Sequence, residues 1–316
     1  MAKIALVFPG QGAQYTGMAK DLYEGNTIAK VIVDKACKNL NMDIKNMMFE
    51  GPDEELSKTE NTQPAILIHS IAAYEALKSE IDLEFDVCLG LSLGEYSALV
   101  TAGVLDFSDA VKLVKKRGKY MQETVPLGEG TMAAILGMDR ETLKKIIDKI
   151  EGGIVEVANY NSPGQIVISG ETEKVREAME KCKDSGAKRA VELSVSGPFH
   201  SSMLKEAGEK LSLELNKVNI KDSSIKVVSN VNADYYSGKY KDLLVKQVSS
   251  SVLWEDSISK LIDEGYDTFI EIGPGKTLNA FIKKISSQKD AKVEIHNIDG
   301  IDSFDKFVSK YRNGEI

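Results

Sequence analysis

Apolar residues recur along the chain in two alternating patterns. Short, nearly continuous apolar runs predict buried strands at 3–8, 85–89 and 267–272. Longer segments with apolar residues at helical spacing predict helices at 27–40, 64–79 and 107–122. Strands that alternate with helices in this way indicate an α/β fold class with a parallel sheet.

The middle of the chain follows a different order. Residues 125–196 read as strand, helix, strand, strand, helix and strand, with a turn at 161–164 between the two central strands. This βαββαβ order is that of a ferredoxin-like unit. We therefore predict a large domain built from residues 1–124 and 197–316, with a small domain inserted at 125–196.

A G-x-S-x-G motif follows the second predicted strand. It consists of Gly90, Ser92 and Gly94, and a helix is predicted to begin at Glu95. A strand, a sharp turn and a helix are the context of a nucleophile elbow, which exposes a serine oxygen at the end of a sheet. The motif alone also fits an ordinary loop between a strand and a helix, so both interpretations stay open at this point.

A serine nucleophile needs a base whose pKa lies near neutrality, and histidine is the usual one. The chain has three histidines. His69 lies in an apolar helical segment and His296 in a strand-like run, where structural roles are more common. The candidate base is His200, because Gly, Pro and Ser around it at the domain junction predict an accessible loop. A plain surface histidine is the alternative.

Two glycine-rich loops and one basic run allow competing interpretations. Loop 8–14 lacks the third glycine of a dinucleotide-binding loop, because Tyr15 stands there, which leaves an oxyanion loop or an ordinary turn. Segment 273–277 resembles a phosphate loop but has Ile270 in place of the first glycine, so we interpret it as a turn. Arg117 lies among lysines, and either belongs to a solvated helix face or binds an anion.

Composition narrows the function classes. The 316 residues carry a net charge of −8, which argues against general binding to nucleic acid or to a membrane surface. No apolar stretch approaches the length of a membrane span, and the N-terminal segment lacks the layout of a signal peptide. Three widely spaced cysteines and three scattered histidines predict no metal site, and they suit a reducing, cytoplasmic compartment.

Four motifs together resemble the malonyl-CoA:acyl carrier protein transacylase family, the acyltransferases of fatty-acid and polyketide synthesis. They lie at 8–14, at 90–99, around Arg117 and at 197–201, and the resemblance extends from residue 3 to about residue 285. It implies an α/β-hydrolase-like large domain with an inserted ferredoxin-like small domain. The pattern of strands and helices agrees with this expectation.

The resemblance also implies roles for single residues. Ser92 is similar to the family's nucleophile and His200 to its base. The backbone N–H groups of Gln11 and Leu93 would form the oxyanion hole. The backbone carbonyl of Gln247 would orient the histidine, in place of the acidic residue that hydrolases use.

Further residues are expected to contact the substrate. Arg117 would pair with the free carboxylate of a malonyl group, and Phe199 holds the position linked to preference for malonyl over methyl-branched units. Gln63 and Asn161 lie in two other family-like segments and are predicted to bind substrate.

The chain departs from the family pattern at two positions. Leu91 stands where histidine usually precedes the nucleophile, so this neighbour has no polar side chain. Ser251 stands where the family often has proline, four residues after the glutamine.

The implied activity is an acyl exchange that needs no metal and no redox cofactor. A malonyl group passes from malonyl-CoA to Ser92, and then to the phosphopantetheine thiol of an acyl carrier protein. A serine hydrolase is the alternative, and it would need a carboxylate beside His200 but would not need Arg117. An acyl-carrier-binding module without catalysis is a second alternative, which the combination of Ser92, His200 and Gln11 argues against.

Overall fold

Nine strands form two separate sheets in the computed structural model, which describes residues 2–316. In chain order they are β1 (Ile4–Phe8), β2 (Val87–Gly90), β3 (Gly130–Leu136), β4 (Val155–Ser162), β5 (Gln165–Glu171), β6 (Arg189–Glu192), β7 (Lys226–Val227), β8 (Thr268–Ile272) and β9 (Glu294–Ile298). The larger sheet is parallel, in the order β7-β2-β1-β8-β9. The smaller sheet is antiparallel, in the order β4-β5-β3-β6. The predicted α/β fold class is confirmed.

Helices connect the strands and cover the sheets. They are α1 (Lys20–Gly25), α2 (Thr27–Leu40), α3 (Ile44–Glu50), α4 (Asp53–Leu56), α5 (Thr59–Glu80), α6 (Gly94–Thr101), α7 (Phe107–Glu123), α8 (Arg140–Ile147), α9 (Thr172–Asp184), α10 (Lys205–Leu215), α11 (Tyr240–Gln247), α12 (Trp254–Asp263), α13 (Thr277–Gln288) and α14 (Ile301–Arg312). Within residues 2–316, none of these helices has both the length and the apolar character that a membrane crossing requires.

Both faces of the parallel sheet are buried. Along β1, Leu6 and Phe8 belong to a core that also contains most of α5, whereas Ala5 and Val7 belong to a second core with Trp254 of α12. Successive side chains of a strand point to opposite faces, so a strand covered on both sides must be apolar throughout. This explains why β1 and β2 read as continuous apolar runs rather than as alternating patterns.

Helix α5 begins at Thr59, whereas the sequence pattern predicted a start at residue 64. Pro64 cannot donate a helical hydrogen bond, which makes it a natural boundary in a sequence-based assignment. In the folded chain the preceding turn is nonetheless helical and largely buried. The side chains of Asn61 and Thr62 donate to main-chain carbonyls of α4 at 2.9 and 2.6 Å. Together with the burial of this turn, these bonds offset the helical hydrogen bond that Pro64 cannot donate.

The small sheet has the strand order of a ferredoxin-like unit, with α8 and α9 packed on one face. Its central hairpin is tighter than predicted. Strand β4 continues through Asn161 to Ser162, which pairs with Gln165, so the turn is shorter than the predicted 161–164 segment. A two-residue connection suffices between antiparallel strands. The proposed small domain, residues 125–196, encloses this sheet and its two helices, and its boundaries stay predictions.

Gly90 is the most crowded point of the connection between β2 and α6. A Cβ atom at this position would lie 2.0 Å from the carbonyl group of Gly94. Gly90→Ala should lower the free energy of unfolding by about 2 kcal/mol or more, since the clash is with backbone that no rotamer change relieves. Gly197→Ala is the control, because its Cβ would meet nothing closer than 3.5 Å, and its stability should be equal or slightly higher. Chemical denaturation measures both, and equal stability of the two variants would contradict the expected clash.

Candidate active site

Ser92 lies at the sharp turn between β2 and α6, with a backbone φ of +52°. A residue other than glycine in this left-handed region is strained unless its surroundings hold it there. Asn230 supplies that support through both ends of its side-chain amide. Its Oδ1 accepts a hydrogen bond from the Ser92 N–H at 2.7 Å, and its Nδ2 donates to the Gly90 carbonyl at 2.7 Å. The turn is therefore held from a distant loop.

His200 bonds to the serine on one side and to a peptide carbonyl on the other. Its Nε2 atom is 2.7 Å from Ser92 Oγ, and its Nδ1 atom is 2.8 Å from the Gln247 main-chain oxygen. Because a carbonyl can only accept, Nδ1 carries the proton, and Nε2 is left free to take the proton of the serine hydroxyl. Within residues 2–316, no carboxylate forms a hydrogen bond or an ion pair with this ring.

The expectation that His200 lies in an accessible loop is wrong. The residue is 5% exposed, because the segment that carries it folds inward together with Phe199. Burial, together with the positive charge of Arg117, lowers the pKa of His200 to about 4. The imidazole is therefore neutral at pH 7, which is the state that a base must have before the reaction begins.

Arg117 turns inward from an otherwise basic helix face. It is 1% exposed, whereas Lys116 and Lys119 on the same helix are exposed. The approach of α7 to α5 depends on Gly118, where a Cβ atom would lie 2.5 Å from the Thr59 carbonyl oxygen. The interpretation as a solvated helix face therefore holds for the exposed lysines and is wrong for Arg117, which lies in the interior.

The hydrogen bonds of the Arg117 guanidinium go to neutral oxygens. It donates to Gln63 Oε1 at 2.8 Å, to Gln247 Oε1 at 2.9 Å and to Ser92 Oγ at 3.1 Å. Its Nε atom has no hydrogen-bond partner in the described part of the chain. Burial lowers the pKa of Arg117, yet a guanidinium stays charged in a protein. A buried cation without a paired carboxylate is costly, and it is suited to an anionic group that a substrate brings.

Two backbone N–H groups beside Ser92 are free to donate. Those of Gln11 and Leu93 make no hydrogen bond within the residues that the structure describes, and both residues line the same cavity as Ser92. Leu93 also precedes the first turn of α6, where the helix dipole favours negative charge. The Gln11 side chain donates to Thr59 Oγ1 at 3.2 Å, which ties its loop to α5. This arrangement suits a developing oxyanion.

A cavity of about 220 Å³ joins these groups between the two sheets. Every predicted site residue lines it except Gln247, which lies behind Arg117 and His200. Phe199 contributes an apolar wall, and Asn161 reaches the cavity from β4. Asn161 is 8% exposed, and its Oδ1 atom has no partner among the described residues, so it offers an acceptor to a bound molecule.

The sequence analysis missed two polar residues at the base of the site, Glu95 and Asn230. Glu95 is fully buried and accepts hydrogen bonds from the Asn230 N–H at 3.1 Å, from Gln247 Nε2 at 2.6 Å and from the Tyr236 hydroxyl. Burial nevertheless raises the pKa of Glu95 to about 7. In the sequence it reads only as an acidic residue in a first helical turn. Its place three residues after Ser92 was the single available signal.

The other two histidines lie outside the cavity. His69 is fully buried, with Nε2 2.5 Å from the Asp299 carbonyl oxygen, and His296 packs edge-on against the Phe307 ring. Among residues 2–316, no three His, Cys, Asp or Glu side chains are grouped so that they could hold a metal ion.

Comparison with known proteins assigns the family. Residues 5–298 match the family described as Acyl transferase domain. A malonyl CoA-acyl carrier protein transacylase of Bacillus subtilis (strain 168) is 53% identical over 290 residues, which cover 90% of this chain and 91% of the relative.

Solved structures give the same assignment. A malonyl CoA-acyl carrier protein transacylase from Clostridium perfringens aligns with a TM-score of 0.94 at 46% identity, over 99% of this chain and 98% of that one. A malonyl-transacylase in complex with its type II PKS acyl-carrier protein aligns with a TM-score of 0.94 at 36% identity, over 98% and 100%. The chain therefore belongs to the acyl transferase family and, within it, to the malonyl CoA-acyl carrier protein transacylases.

Proposed function

We propose that this enzyme moves a malonyl group from malonyl-CoA to an acyl carrier protein through an ester on Ser92. One observation carries the proposal: the buried guanidinium of Arg117 lies 3.1 Å from the Oγ atom of a serine that already contacts its base. A malonyl thioester has its carboxylate one methylene away from the reactive carbonyl. A cation beside the nucleophile therefore binds the carboxylate while the carbonyl carbon faces Ser92.

In the first half of the proposed reaction, His200 takes the hydroxyl proton as Ser92 Oγ attacks the thioester carbonyl carbon. The negative charge that develops on the carbonyl oxygen is stabilised by the N–H groups of Gln11 and Leu93, each worth about 3 kcal/mol. The carbon–sulfur bond then breaks, and CoA leaves as a thiol with the proton from His200. Malonate remains as an ester on Ser92.

The second half reverses these steps with a different thiol. The phosphopantetheine thiol of the carrier protein gives its proton to His200 and attacks the ester carbonyl carbon. The bond to Ser92 Oγ breaks, and the serine oxygen takes the proton back. Because one imidazole serves both halves, it must be neutral at the start of each, and its lowered pKa of about 4 supports that requirement.

The alternative of a serine hydrolase receives less support. Such an enzyme would hold its histidine with a carboxylate, whereas His200 Nδ1 contacts the peptide oxygen of Gln247 at 2.8 Å. A hydrolase of neutral esters would also have no use for the buried charge of Arg117. Both features favour transfer of an anionic acyl group.

A cytoplasmic location is likewise a proposal. Cys37, Cys88 and Cys182 are all unpaired thiols. Free thiols persist in a reducing compartment, which supports this location.

The ester on Ser92 is directly testable by mass spectrometry of the intact protein. After mixing with malonyl-CoA, the wild-type protein should gain one malonyl group, and it should lose this group when carrier protein is added. Ser92→Ala should gain none, because alanine has no oxygen to acylate. Ser97→Ala, at another buried serine of α6, is the control and should still be acylated. Rapid release of free malonate would indicate a hydrolase, and no adduct on the wild type would indicate a binding module.

Arg117→Ala should change substrate preference rather than activity in general. The ratio of kcat/KM for malonyl-CoA to that for acetyl-CoA should fall by about 100-fold, equivalent to about 3 kcal/mol, since acetyl carries no charge. Arg117→Lys should recover only part of the ratio, because the ammonium keeps the positive charge but cannot make the paired contact of a guanidinium. Lys116→Ala, at an exposed neighbour, should leave it unchanged. Equal losses for the two thioesters would mean that Arg117 only supports structure.

The pH profile of kcat/KM reports the pKa of the base in the free enzyme. Only neutral His200 accepts a proton, so activity falls when the pH drops below the pKa of His200. Because burial and Arg117 lower that pKa to about 4, kcat/KM should stay level from pH 7 to about pH 5 and fall only near pH 4. Acetyl-CoA, which has no carboxylate, should give the same profile. A half-loss near pH 6.5 would contradict the lowered pKa.

A further inference from the structure

Glu95 is a buried acid to which the proposed reaction gives no role. It is fully buried, three residues after Ser92, and its carboxylate accepts hydrogen bonds instead of forming an ion pair. One carboxylate oxygen accepts from the Tyr236 hydroxyl. The other, Oε2, accepts from the Asn230 N–H at 3.1 Å and from Gln247 Nε2 at 2.6 Å. A buried acid without an ion-pair partner needs an explanation, because moving a carboxylate out of water costs free energy of folding.

The bond from Gln247 decides which end of its amide faces Arg117. An amide has a donor NH₂ group at one end and an acceptor oxygen at the other. The Nε2 end lies at Glu95 and also donates to the Ser92 carbonyl at 2.9 Å. The Oε1 end therefore accepts from Arg117 Nη2 at 2.9 Å. A reversed amide would set its NH₂ group against the guanidinium, a contact between two donors, and would take away the N–H that Glu95 Oε2 accepts from.

We propose that Glu95 is a positioning residue that gives the enzyme its selectivity for acyl groups with a carboxylate, by holding the Gln247 amide oxygen toward Arg117. This inference rests on the proposed function. With the amide held, the guanidinium is anchored by Gln63 on one side and Gln247 on the other, and it faces the cavity. Without Glu95 the Nε2 end loses its bond to the acid and keeps the one to the Ser92 carbonyl, so the amide turns more readily. A turned amide sets its NH₂ group against the guanidinium and displaces it from the place that the malonyl carboxylate needs.

The contacts predict different results for three variants. Glu95→Met removes the acceptor at similar volume, and should lower the malonyl-to-acetyl ratio of kcat/KM about tenfold, as expected for one charge-assisted hydrogen bond. Glu95→Gln should restore the wild-type ratio, because its oxygen still accepts from Gln247 and its NH₂ group can donate to the Tyr236 oxygen. Tyr236→Phe is the control, and should leave the ratio unchanged because it affects only the other carboxylate oxygen.

The assay measures kcat/KM for malonyl-CoA and acetyl-CoA on each purified full-length protein, with Arg117→Ala alongside. The inference is overturned if Glu95→Met lowers kcat/KM for both thioesters by the same factor. It is also overturned if Glu95→Gln lowers the malonyl-to-acetyl ratio as much as Glu95→Met does. The double variant of Glu95→Met and Arg117→Ala should have the same ratio as Arg117→Ala alone, because both substitutions remove the contact between Arg117 and the malonyl carboxylate.

Gln247→Met provides a second route should Glu95→Met not fold. It removes the amide and keeps the main-chain carbonyl that contacts His200, so the ratio should again fall about tenfold toward acetyl. An unchanged ratio in Gln247→Met would overturn the inference. If the wild-type protein forms no malonyl ester on Ser92, the proposed function fails. If Arg117→Ala leaves the ratio unchanged, Arg117 does not bind the carboxylate, and the inference falls with that assignment. If Arg117→Ala shifts the ratio while the variants of Glu95 and Gln247 do not, the inference alone fails.

Discussion

The burial of one positive charge governs the organisation of this active site. The Arg117 guanidinium is held away from water by neutral amide and hydroxyl oxygens, and its charge is left without a paired carboxylate in the described part of the chain. The same charge helps to keep His200 neutral. A site of this kind favours a ligand that brings its own negative charge, and it prepares the base for the reaction that follows.

The scaffold brings together groups that lie far apart in the chain. The carboxyl ends of β1 and β2 supply the loop with Gln11 and the turn with Ser92, while α7 and the end of α11, which pack on other helices, supply Arg117 and Gln247. Such convergence at the carboxyl ends of neighbouring strands is a general property of open parallel sheets. Most of the precision comes from side-chain amides: Asn230 bonds to both sides of the elbow, and the Gln247 amide bonds to a cation and an acid. Amides suit this task because each has a donor end and an acceptor end.

Local patterns in the sequence predicted the fold class and pointed to Ser92 and His200 as candidates, because strand–turn–helix contexts and the choice among three histidines are local information. The roles expected of the two residues came from the family resemblance. Features that depend on distant partners were not predictable. Asn161 lies on a strand and not in a turn, since the hairpin ladder continues past it. Glu95 gave no signal except its place near Ser92, and Asn230 gave none, because the bond between the two residues joins positions 135 residues apart along the chain. Burial also results from tertiary packing, so the burial of His200 was missed, because its flanking residues are typical of an exposed loop.

The absence of a fixed partner for Arg117 makes the free enzyme the electrostatically unbalanced member of the proposed cycle. In the proposed cycle, malonylation would bring a carboxylate to the cation, so the acyl-enzyme would be the balanced member. Leu91, which lines the cavity next to Ser92, adds no polar side-chain atom there that could hold a water molecule against such an ester.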